Sequence, residues 1–177
     1  RDPLWSRGLG DVYKRQNDPG LEGDSGNKGV SSRVSAGVNI YGMYEMTTQV
    51  TKDSDSVSNF LLGKSIDEAR ALYQQSSPRF HLDKTEPPKL ILHETIDQLM
   101  LIAQADALAA HLKRLKIPHS YWWPDSWPHT MGLAKPVNDN CQAMMDRFFA
   151  KHIPLPEKKN LPPAFTNCFL PFKHEVL

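Results

Sequence analysis

The stretch that most limits the fold of this chain is the short apolar run Lys89-Leu90-Ile91-Leu92-His93 (KLILH). A run of this length without polar alternation is the mark of a strand buried on both faces of a parallel sheet. A parallel sheet needs crossover connections, and the flanking sequence supplies them. Residues 102–115 carry Ala105, Leu108, Ala109, Leu112 and Leu115 at helical spacing. Pro118 ends that segment, and His119 to Trp123 (HSYWW) reads as a second, aromatic-rich strand. Val137 to His152 then repeats the helical period, with Val137, Cys141, Met144, Met145, Phe148 and Phe149 as its apolar stripe. Upstream, Val34 to Tyr41 (VSAGVNIY) reads as a further buried strand ended by Gly42. Ser65-Ile66-Asp67-Glu68 is a capping-box pattern that opens a helix running to about Gln75 and stopped by Pro78. Tyr44 to Ser58 is polar, lacks a clear period and reads as a surface excursion. Strand and helix in alternation predict an α/β domain with a parallel sheet.

Composition narrows the function classes. The 177 residues hold 21 Lys and Arg against 20 Asp and Glu, a formal net charge of +1. That balance, without a basic block, argues against a nucleic-acid binder or a polybasic membrane anchor. No stretch approaches the roughly 18 continuous apolar residues of a membrane helix. Cys141 and Cys168 make neither a disulfide framework nor a metal set. Seven histidines are present, but no H-x-H or H-E-x-x-H pair, so no zinc site is expected. Cys141 lies on an apolar helical stripe and reads as a buried free thiol. The sequence assigns no compartment and no cofactor.

Three regions are distinguished. Residues 1–16 (RDPLWSRGLGDVYKRQ) lack an apolar core segment and any helical or strand period. They resemble the translation of a transposon-type sequencing adapter, the alternative being a basic N-terminal arm. Residues 17–155 hold the α/β elements. Residues 156–177, with Pro162-Pro163 and Pro171, are expected to form an irregular tail.

Chemistry is expected where the strands end. Asp97 follows the Lys89–His93 strand, and His129 follows the His119–Trp123 strand. A right-handed parallel crossover opens both ends on one edge of the sheet, where α/β folds bind their ligands. Strands about 4.8 Å apart bring such loops within reach. A carboxylate there can hold an imidazole through Nδ1 and leave its other nitrogen to accept a proton from a nucleophile. The alternative is that Asp97 caps the following helix and His129 is a surface loop residue. Glu94 and Asp125 are rival acids, Asp125 reading as an exposed turn residue.

Residues 87–154 resemble the C-terminal part of an α/β-hydrolase, of the kind of bacterial acetylxylan and feruloyl carboxylesterases. The likeness extends back to about Asn17. In that family a strand runs into His-Gly-x-x-Asp, whose Asp is the triad acid; here the segment is His93-Glu94-Thr95-Ile96-Asp97. The family's Trp-Pro-His matches Trp127-Pro128-His129; Trp127 reads either as lining an acyl or sugar pocket beside His129 or as a plain packing residue. The order acid before His agrees with the family. The resemblance implies a partial α/β-hydrolase fold without its N-terminal half. It also implies a serine-dependent carboxylesterase with Asp97 and His129 as catalytic residues, no cofactor or metal, and a small-molecule or carbohydrate-linked ester as substrate. Two departures stand near Asp97: Glu94 replaces the usual Gly, and Leu101 stands where Pro is common. No G-x-S-x-G nucleophile elbow occurs, and Gly23-Asp24-Ser25-Gly26 has the wrong spacing. The family layout puts the nucleophile and the oxyanion donors before Asn17, so the fragment alone is expected to be inactive. Two other readings remain open: a prolyl-oligopeptidase-type peptidase, and a non-catalytic hydrolase-like module.

Overall fold

The computed structural model describes residues 34–48 and 52–154. The segments 1–16 and 156–177, the Gly-rich stretch at 23–26 and Cys168 lie outside the described residues. Three strands form one parallel sheet in the order β1 (Gly37–Ile40), β2 (Lys89–Leu92), β3 (His119–Trp122). The ladder runs one residue further at its carboxyl edge: Tyr41 N donates to Leu92 O at 2.8 Å, and His93 N to Trp122 O at 3.1 Å.

The central strand explains why an unbroken apolar run was needed. Successive side chains of a strand face opposite sides. Ile91 joins Tyr44, Ala105, Leu108, Leu112 and Ile117 in one cluster, built with helix α3 (Ala103–Leu115). Leu90 and Leu92 join Met131, Val137, Cys141 and Phe148 in another, built with helix α4 (Lys135–His152). Each face of β2 is thus sealed by its own helix, and all four of its residues are buried. No helix of the described residues is long and apolar enough to cross a membrane.

Helices α1 (Lys52–Leu62) and α2 (Ile66–Ser76) occupy the connection between β1 and β2. They pack on each other through Leu62, Ile66 and Tyr73. Glu68 Oε2 accepts from Ser65 N at 2.9 Å and from Ser65 Oγ at 2.6 Å, so the carboxylate half of the expected capping box is present.

The reading of Tyr44 to Ser58 as a surface excursion is corrected in two places. Its second half belongs to α1, whose apolar residues (Val57, Phe60, Leu61, Leu62) gather at the C-terminal end and leave no period along its length. Tertiary contact of Leu62 with α2 supplies what the local pattern lacks. Tyr44 itself is buried, because Gln104 holds the chain there. Its Oε1 accepts from Tyr44 N (3.1 Å) and Glu45 N (2.8 Å), and its Nε2 donates to Glu45 O (2.9 Å). The Tyr44 ring lies under Gly42, where a Cβ would meet it at 2.9 Å.

Candidate active site

The carboxyl edge of the sheet gathers three loops, one from each strand. The β2 loop carries residues 93–101. Asp97 turns it tightly: its Oδ1 accepts from Leu99 N (2.9 Å) and Met100 N (2.8 Å). A short side-chain acceptor competing for nearby amides is what makes Asp favour such turns. His93 sits beneath with no exposure, its Nε2 2.6 Å from Met100 O and 3.6 Å from Asp97 Oδ2.

The β3 loop returns to this point. His129 Nδ1 lies 2.7 Å from Asp97 Oδ2; the Asp97 side chain is fully buried, and that of His129 is 26% exposed. The alternative that Asp97 caps the following helix is corrected: that helix opens at Ala103 with Ile102 as its N-cap and no side-chain cap, while one Asp97 oxygen fixes a turn inside the loop and the other holds the imidazole. Through Nδ1 His129 makes its one hydrogen bond among the described residues, and its ring remains partly open to solvent.

The rival acids are elsewhere. Asp125 is exposed and accepts from Thr95 Oγ1 at 3.2 Å. Glu94 is fully buried, and its Oε1 accepts from Met131 N at 2.9 Å. Trp127 is half-buried against the cluster of Leu90 and Leu92, and its carbonyl accepts from Ile96 N at 3.2 Å.

A residue not singled out from sequence completes the group. Tyr41, at the end of β1, sets its ring edge-on to the His129 imidazole, with centroids 4.8 Å apart at 67°. Its φ of 37° is left-handed, as are those of Ser126 (60°) and Thr130 (72°). Of the four non-glycine residues with positive φ among those described, three stand in the loops around His129. Such strain persists only where the surroundings over-determine it, and it gathers at functional sites. The available signal was topological: Tyr41 follows a strand that ends on the same edge.

His93, Glu94 and Asp97 bring potential metal-ligating atoms within 4.8 Å of one another. Part of this donor set is committed to the protein, while His93 Nδ1 and Glu94 Oε2 have no hydrogen-bond partner among the described residues. Asp97 serves two amides and an imidazole, His93 faces the Met100 carbonyl, and Glu94 holds Met131.

The family model described as BD-FAE matches residues 13–112, more than half of the chain and including Asp97. The chain belongs to the BD-FAE family. Solved structures with the same arrangement bear this out at the level of fold. One is similar at 21% identity and a TM-score of 0.60, covering 72% of this chain and 47% of its own; it is described as a truncated form of carbohydrate esterase from gut microbiota. Another, described as an acetyl ester-xyloside bifunctional hydrolase from Caldicellulosiruptor lactoaceticus, is 18% identical with a TM-score of 0.65, covering 83% and 53%. A third, the propionate-bound esterase Est2 from the Planctomycetes species Thermogutta terrifontis, is 18% identical with a TM-score of 0.61, covering 79% and 51%. No curated protein matches the chain. This BD-FAE chain spans about half the length of these structures, and its sheet and flanking helices are those of an α/β-hydrolase.

Proposed function

We propose that this BD-FAE protein, when intact, hydrolyses carboxylic esters by acyl transfer, with His129 as general base and acid and Asp97 as the residue that orients it. The observation that carries this reading is the 2.7 Å contact between His129 Nδ1 and the buried Asp97 carboxylate at the carboxyl edge of the sheet. Accepting from Nδ1 selects the tautomer whose Nε2 has a free lone pair. That nitrogen takes the hydroxyl proton of an attacking serine as its oxygen bonds to the ester carbonyl carbon. The imidazolium then returns the proton to the leaving alkoxide, and the acyl group stays on the serine. Water, deprotonated by the same nitrogen, releases it as the acid. The Asp97 carboxylate stabilises the imidazolium as it forms.

The serine and the oxyanion-hole donors are proposed to precede Asn17, because no G-x-S-x-G elbow lies in these 177 residues. The substrate class is a small-molecule or carbohydrate-linked ester; support comes from family membership and from the esterases that share the fold. No cofactor is required by this chemistry.

The test compares two polypeptides with p-nitrophenyl acetate. Residues 17–177 alone are expected to give no turnover. A longer polypeptide in which this chain follows its nucleophile segment is expected to turn over and to lose activity on His129→Ala. Turnover that survives His129→Ala overturns the assignment.

A further inference from the structure

Four consecutive residues of the β2 loop each grip the histidine loop. Thr95 Oγ1 accepts from Ser126 N at 2.7 Å, Ile96 N donates to Trp127 O at 3.2 Å, Asp97 holds His129, and Glu94 Oε1 accepts from Met131 N at 2.9 Å. Three of these grips lie at or before His129. Only Glu94 holds the chain after it.

We propose that Glu94 is a positioning residue, whose buried carboxylate clamps the chain just after His129 and so keeps the imidazole on Asp97. This rests on the Asp97–His129 pair working as proposed above. The chain leaves His129 through Thr130, a non-glycine residue in the left-handed region at φ 72°. A conformation of that kind relaxes unless both sides are fixed. Trp127 fixes the near side through its carbonyl, and the far side is fixed at Met131, whose amide bonds to Glu94 and whose side chain is 1% exposed.

The carboxylate is also costly where it stands. Glu94 has no exposure, and its Oε2 is buried without a hydrogen-bond partner among the described residues. A half-satisfied buried acid opposes folding. The contact of its other oxygen with the Met131 amide offsets part of that cost.

The experiment uses the 177-residue chain and needs no turnover. The Nδ1 proton of an imidazole bonded to a carboxylate gives a far-downfield proton resonance, assigned here by its loss in His129→Gln. Wild type is expected to show it and Asp97→Asn to lose it. Glu94→Ala is expected to lose or broaden it while remaining folded. Glu94→Gln, which keeps an acceptor of the same reach, is expected to retain it. Amide exchange at Met131 is expected to be slow in wild type and to rise about 10- to 100-fold in Glu94→Ala, the factor that loss of one charge-assisted hydrogen bond produces.

A resonance absent from wild type, or unchanged in Asp97→Asn, defeats the reading of the Asp97–His129 pair itself. A resonance lost in Asp97→Asn but intact in folded Glu94→Ala defeats the role of Glu94 alone. Should Glu94→Ala not fold, wild type decides through Met131: an unprotected amide there overturns the clamp, and a protected one with the signal retained in Glu94→Gln upholds it.

Discussion

His129 and Asp97 stand 32 positions apart in sequence, and their side chains meet at 2.7 Å with the acid fully buried. The carboxylate is shielded from bulk solvent, and by accepting from Nδ1 it selects one imidazole tautomer. In the longer polypeptide proposed to be active, Asp97→Asn would present an amide that cannot fill the same role at Nδ1. If Asp97 orients His129 as proposed, the expected outcome is a fall in kcat for p-nitrophenyl acetate by roughly 10⁴-fold. A fall of less than tenfold would show that Asp97 serves the turn at Leu99 and Met100 and little else.

A buried ion pair marks the opposite end of β2. Lys89 Nζ lies 2.7 Å from Glu86 Oε2, with side chains 1% and 6% exposed. Burial holds the Lys89 pKa down, and Glu86 pulls against that shift. Glu86→Gln removes this carboxylate from beside the buried ammonium and is expected to destabilise the fold by up to about 3 kcal/mol in urea unfolding at neutral pH. The Glu86→Met/Lys89→Met double variant should fall much closer to wild type, since removing both charges also removes their desolvation. With Lys89 depressed in the folded state, the unfolded chain binds more protons. Stability therefore rises with pH between the folded and unfolded values, and the Glu86→Gln deficit should shrink at alkaline pH.

Gln104 ties the segment after β1 to helix α3 through three hydrogen bonds. Gln104→Leu keeps the volume but strands the Tyr44 and Glu45 amides. A loss of about 1–2 kcal/mol is expected, read by thermal or urea unfolding, because these amides lose the side-chain acceptor that satisfied them.

Cys141 is 4% exposed on the inner face of α4. Burial pushes its thiol pKa up, and the charge of Glu94 adds to the effect. Peptide mapping after iodoacetamide treatment at pH 8 should find Cys141 scarcely labelled in the folded chain and readily labelled in urea. The raised folded value means that the native state holds this proton more tightly. Its contribution to stability is therefore complete below the unfolded thiol value and declines as pH rises through the folded one. Cys141→Ala should flatten that alkaline decline.

Much of this protein was legible in its sequence because its signals are local. The KLILH run, the stripe from Ala105 to Leu115 and the stripe from Val137 to Phe149 each report burial through spacing, and each element appears where its spacing puts it, except that Phe149 at the last stripe's end stands exposed. Helix α1 was not legible, because its apolar residues gather at one end and it is held by α2. The burial of Tyr44 was hidden for a similar reason: its determinant, Gln104, lies 60 positions away on another element.

The candidate site divides along the same line. Parallel connectivity by itself put Asp97 and His129 on one edge of the sheet, since handed crossovers leave no other arrangement. Which acid meets the imidazole was decided only in three dimensions. Glu94, Asp97 and Asp125 are all carboxylates within reach in sequence, and only the direction of each side chain off the β2 and β3 loops separates them. Asp97 faces His129, Glu94 turns inward to Met131, and Asp125 stays in solvent beside Thr95. The left-handed turn at Thr130 and the ring of Tyr41 against His129 have no sequence signature either. They follow from packing three loops onto one sheet edge, a constraint that periodicity along a chain cannot express.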